Sequence, residues 1–178
     1  MSANEELEEH AHHAKEPFDK KVAVTMAIIA ALLATVSVGA HIYANEELLL
    51  QQKASDQWAY YQAKSIRRYA SDVARDSLAS SPELSAKYAK NSEKYEKEGE
   101  EIQTEAKNLE KESERKGKQS LRMEAGEVFL EIGIVFASLA ILTKRPFIWA
   151  VSVVCALVGV AVALTSAFPE WPGIVFRN

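Results

Sequence analysis

The chain has 178 residues, 48% of them hydrophobic and 26% charged, with a formal net charge of −4 and a single cysteine. A net negative chain has no general attraction for phosphate backbones, which argues against a nucleic-acid partner, and one cysteine excludes an internal disulfide. Charge and grease are also segregated: three apolar runs, 22–43, 128–143 and 147–168, surround a highly charged middle, so a near-neutral mean hydropathy hides the composition of a membrane protein.

Residues 1–20 read as a disordered acidic tail, with Glu5, Glu6, Glu8, Glu9 and Glu16. His10, His12 and His13 beside Glu8 and Glu9 have the chemistry to hold a transition metal. No scaffold is evident there, and the expectation is no metal site. Residues 21–43 are expected to be the first transmembrane helix, since roughly 21 apolar residues match a hydrocarbon core about 30 Å thick. Val38 and Ala40 satisfy the small-residue rule for signal cleavage, but the preceding segment is too acidic for a secretory leader, so the span is read as retained.

Residues 44–123 carry balanced charge, no cysteine, and only Pro82, Gly99 and Gly117 as breakers, a composition of long helices. Ser80 and Glu83 have capping-box spacing and Pro82 suits a first helical turn, so an extramembrane helical hairpin with its turn near 80–83 is expected. In the downstream arm Tyr88, Tyr95, Ile102 and Leu109 recur every seven residues, and Ser92, Gly99, Ala106 and Ser113 follow each by four. This large-then-small seam implies close, coiled-coil-like packing. The upstream arm offers Ala59, Ala63, Ile66, Ala70 and Val73 as the matching stripe. The Ala44–Leu48 and Gln119–Glu127 stretches lack breakers, so helices should run continuously from the bilayer into a hairpin standing roughly 50 Å off it.

Residues 124–143 form the expected second span, whose strictly apolar part covers about 24 Å. A tight basic turn follows at 144–146, then a third span at 147–168 and a short tail at 169–178, where Pro169 and Trp171 suit a helix stop at the interface. Ser152, Ala156, Gly159, Ala161 and Ala163 offer small faces for helix packing, and Cys155 reads as an apolar filler. Lys15, Lys20 and Lys21 fall on the same side as Lys144 and Arg145, which predicts a cytoplasmic N-terminus and a hairpin on the opposite face. Arg115, Lys116, Lys118 and Arg122 count against that orientation.

Asp56 to Arg67 (DQWAYYQAKSIR), with the later FLEIGIVFASLAILTKR preceding a hydrophobic span, resembles a bacterial membrane-protein family known as domain-of-unknown-function family 4337. The resemblance extends from the first span to the last and implies a bacterial inner-membrane protein of this layout. It transfers no catalytic or ligand residue.

Two constellations carry the functional expectations. Glu124, Glu127 and Glu131 share one helix face, with Glu131 inside the apolar run, where an ionisable side chain is a site hypothesis by default. With His41 they make a candidate ion or proton site, and a Glu131–His41 contact is expected if the first two spans are antiparallel; the bland reading is snorkelling, or pairing with Lys118, Arg122 or His41. Trp58, Tyr60 and Tyr61 with Arg67 and Arg68 form a candidate interaction surface, since such residues concentrate at hot spots. The bland reading there packs Trp58 and Tyr61 on the opposite arm near Arg115 or Lys118. No nucleophile stands beside a base and no Gly-rich phosphate loop or zinc-ligand spacing occurs, so the expectation is a non-enzymatic, cofactor-free, three-span all-α membrane protein. It is expected to be a homo-oligomeric scaffold or adaptor in contact with lipid and with a possible protein partner. The alternative is a homo-oligomeric cation or proton channel using the acidic face.

Overall fold

The structure, a computed structural model, describes residues 17–168, which are helical apart from two interhelical turns and the final residue. Helix α1 spans Pro17–Ser77, α2 spans Pro82–Thr143, and α3 spans Pro146–Leu164, ending in a 3-10 turn at Thr165–Ala167. There is no strand among the described residues. Each helix opens on a proline, whose missing N–H is one of the donors a helix start leaves unpaired in any case. All three helices contain segments long and apolar enough to cross a membrane. Helix α1 takes in residues 17–20, assigned to the tail by sequence, whereas His10, His12, His13, Pro169 and Trp171 lie outside the described residues.

The α1–α2 turn covers residues 78–81. Leu78 N–H donates to the Ala74 carbonyl, Ser81 N–H to the Leu78 carbonyl, and Ser85 N–H to the Ser81 carbonyl, which makes Ser81 the residue that starts α2. The expected Ser80–Glu83 capping box is therefore one residue out of register: Pro82 takes the first helical position and places the cap directly before it. The second turn contains Lys144 in the left-handed conformation (φ 55°) and extended Arg145 before Pro146.

The described residues divide into two compact units, one comprising 17–44 and 118–168, the other Asn45–Gly117. In the apolar unit, Val22, Ala137 and Ala140 form one buried cluster with Phe18, Met26, Ile141, Ile148 and Trp149 around it. Ile29, Leu130 and Ala156 form a second, flanked by Leu33, Val36, Ile134 and Val160. The buried positions of α3, Ser152, Ala156, Gly159 and Ala163, bear out most of the predicted small face, while Ala161 is turned outward. Close approach is tightest where a Cβ on Gly126 would lie 2.7 Å from the Gly159 carbonyl oxygen, and the converse distance is the same. The threonines of these segments satisfy themselves on their own helices, Thr25 donating to Lys21 and Thr35 to Ala31 carbonyls.

In the charged unit the contacts nest around the turn. Ser113 Oγ donates to the Glu47 carbonyl (3.1 Å), Trp58 Nε1 to Glu110 Oε1 (2.8 Å), and Ser85 Oγ to the Arg75 carbonyl (3.4 Å). The α2 seam expected from the heptad is the packed one: Ser92, Gly99, Ile102, Ala106 and Ser113 are buried, and Tyr88, Tyr95 and Leu109 half-buried. The α1 stripe is not the expected one. Ala59, Ala63, Ile66, Ala70 and Val73 are exposed, and the arm packs through Ala54, Trp58, Tyr61, Lys64, Arg68 and Ser71 instead. The reason is size. A seam lined by small residues on one side takes long side chains from the other, and Tyr61 lies where a Cβ on Gly99 would touch its ring at 3.6 Å.

Candidate functional site

Trp58 and Tyr61 pack edge to face, ring centroids 5.7 Å apart and planes at 87°, in the geometry aromatic pairs prefer. One turn further, Lys64 Nζ pairs with Glu98 Oε2 at 2.5 Å and lies 5.1 Å from the Tyr60 ring and 5.5 Å from the Tyr95 ring. Arg68 continues the series, Nη1 to Glu96 Oε1 at 3.1 Å. The hydrogen bond from Lys64 holds the Glu98 carboxyl below the usual carboxylate range, and the same bond, with a contribution from Tyr60, raises the Lys64 ammonium. Nearer the turn, Asp76 raises the Arg75 guanidinium, while on α2 Lys97 lowers Glu93 and is itself raised by it.

Of the five residues expected to form an interaction surface, Trp58, Tyr61 and Arg68 are thus engaged between the arms, and Tyr60 and Arg67 remain exposed. Trp58 does meet the opposite arm, at Glu110 and not at Arg115 or Lys118. What stays uncovered is the stripe assigned to the seam, with Ile66 68% and Val73 65% exposed, and Tyr69 at 67% beside it.

In the apolar unit, Glu124 accepts from Ser120 Oγ (3.0 Å) and is exposed, Glu127 is half-buried, and Glu131 is exposed on the outside of α2. The expected Glu131–His41 contact does not form. Ser120 Oγ lies 3.2 Å from the Ala40 carbonyl, which sets His41 level with the start of this α2 segment, while Leu130 packs against Ile29. The two side chains are about twelve residues, roughly 18 Å, apart along the axis. Arg122 also has work that sequence reading missed: Nη1 donates to the Thr165 (3.0 Å) and Phe168 (3.1 Å) carbonyls, and Gln119 Nε2 donates to Ser166 (3.0 Å). Together they satisfy the carbonyls that a helix C-terminus leaves unpaired.

A family model described as "Domain of unknown function (DUF4337)" matches residues 18–169. The chain belongs to the DUF4337 family. The match covers both paired arms and all three apolar segments, so the features above sit within the family's own region of the chain. No curated protein and no solved structure matches the chain.

In the charged unit of this DUF4337 chain a cleft of about 600 Å³ is lined by Ala54 and Trp58 and by the carboxylates of Glu47, Glu110 and Glu114. Glu110 is engaged by the Trp58 indole. Among the described residues no group of three His, Cys, Asp or Glu is placed to hold a metal ion. At the opposite end of the apolar unit, Lys144 pairs with Asp19, Lys21 Nζ lies 4.1 Å over the Trp149 ring, and Trp149 Nε1 donates to Thr25 Oγ1 at 3.3 Å.

Proposed function

We propose that the protein is a membrane-anchored helical scaffold in which α1 and α2 form a hairpin outside the bilayer and copies assemble through it, with no catalytic role. The observation that carries this reading is the uncovered α1 stripe. Ala59, Ala63, Ile66, Ala70 and Val73 repeat at alternating four- and three-residue steps, the period that faces another helix in a left-handed pair. The neighbouring face of the same helix already packs on α2, so this is a second, unoccupied seam; contiguous exposed apolar surface of this kind marks an interaction site. The alanines permit close approach and Ile66 and Val73 supply the bulk.

The bilayer anchorage is supported by three helices of sufficient length and apolarity, and the family resemblance favours the bacterial inner membrane. A cytoplasmic N-terminus is supported by the meeting of Lys21, Lys144 and Trp149 at one end of the apolar unit, a basic end with an interfacial aromatic. Arg122, which counts against that orientation by sequence, caps α3. The test is the detergent-corrected mass of the solubilised particle. Wild type is expected as a defined multiple of the chain and Ile66→Glu/Val73→Glu as a smaller particle with unchanged helicity. A wild-type monomer overturns the reading. In the alternative, a cation or proton channel, Glu127 and Glu131 shape a pore; Glu131→Gln then changes flux through reconstituted vesicles, and a wild type without flux removes it.

A further inference from the structure

Glu131 is the one acidic residue set deep within the second apolar run, and it is exposed on the outer surface of α2. Its depth follows from its neighbour: Leu130 packs with Ile29 and Ala156, and Ala156 stands nine residues after Phe147 and twelve before Phe168. Carboxylates in such a position face a bundle interior or a water-filled cavity, or pair with another polar group. Among the described residues Glu131 does none of these. Its neighbours on the same face include Val128, 52% exposed, and Val135, 57% exposed, with the half-buried Glu127 one turn back, an acid like itself. The nearest basic groups along the chain stand about 13 Å or more away along the axis, Arg122 on the same helix toward one end and Lys144 in the turn beyond the other, and both are engaged there.

The surface around it has order. Val128, Glu131, Val135, Ser138 and Leu142 are all exposed and follow one another at steps of three, four, three and four residues, the spacing of a left-handed helix contact. Ser138 Oγ donates to its own helix, to the Val135 carbonyl at 2.8 Å, so it asks nothing of a partner. Glu131 does. A protonated carboxyl group carries both an O–H donor and acceptor oxygens, so its complement in an apolar setting is another copy of itself. Each carboxyl donates to the other, and no basic partner is needed.

We infer that this outward face of α2 is a contact between copies of the chain inside the bilayer, with the Glu131 carboxyls paired across it. The inference rests on the membrane-anchored, self-assembling reading above and names a contact surface separate from the α1 stripe.

The test is disulfide trapping in the full-length protein reconstituted into phosphatidylcholine vesicles, in a Cys155→Ala background. Val135→Cys reports the proposed face, and Val154→Cys, on α3 and 59% exposed, reports an apolar face outside it. Val135→Cys is expected to cross-link into a covalent dimer at several times the yield of Val154→Cys. That yield should fall at least fivefold when Glu131→Val is added and persist with Glu131→Gln, whose amide keeps a donor and an acceptor. Glu131→Val makes the segment more apolar, so failure to insert does not account for a loss. Equal yields at the two positions, or a Val135→Cys yield indifferent to Glu131→Val, overturn the inference; if the particle mass is still a multiple of the chain, assembly through the arms stands. A wild-type mass of one chain overturns both.

Discussion

Gly126 and Gly159 face each other so closely that a methyl group on either would meet the other's carbonyl oxygen at 2.7 Å, and backbone cannot swing aside as a side chain can. Gly126→Ala is therefore expected to force α2 and α3 apart and lower stability by about 1–3 kcal/mol, the range for overpacking a filled contact. Gly99 is the contrasting case. A Cβ there meets the Tyr61 ring at 3.6 Å, ordinary van der Waals contact, and replaces the most flexible residue in a helix interior. Gly99→Ala should raise stability by roughly 0.5–1 kcal/mol. Both effects are readable as shifts in the unfolding midpoint in detergent. A third residue-scale case is Ser152, fully buried with its Oγ unpartnered. An orphaned hydroxyl costs about 1–3 kcal/mol, and Ser152→Ala is expected to be neutral or stabilising in the same measurement.

At the scale of the elements, the paired arms combine a small-residue α2 seam with an α1 face whose Lys64 and Arg68 form ion pairs with Glu98 and Glu96. Glu98 is held below its ordinary range, so its contribution is present above about pH 4.3, the unfolded value, and is lost as pH falls through the folded value. Lys64 is raised, so its contribution is present below about pH 10.4 and is lost as pH rises through the folded value. Glu98→Gln should thus melt at lower temperature than wild type near pH 7, with the difference closing as pH drops toward 3; a difference constant with pH would remove the pair from the arms' stability. The periodicity of α2 was legible because its large and small residues alternate in one strict heptad. The α1 face was not, because its more apolar stripe is the outward one and its inward stripe is built from Trp58, Tyr61 and two basic residues.

For the whole molecule, three apolar segments and a charged middle in one family-matched chain lead to a protein that should stay with membranes through alkaline washing and be released only by detergent. Release by alkali alone would contradict the anchorage. The sequence by itself determined the number of apolar segments, the helix breaks near 80–83 and 144–146, the second ending one residue earlier than expected because Pro146 opens α3, and the α2 seam. These are local properties, set by run length, proline and a period within one stretch of chain. Only the tertiary structure decided which α1 face turns inward, that His41 stands far along the axis from Glu131, and that Arg122 caps α3. Each of these depends on register between two helices, and register comes from the fit of one face to another, which no single stretch of sequence contains.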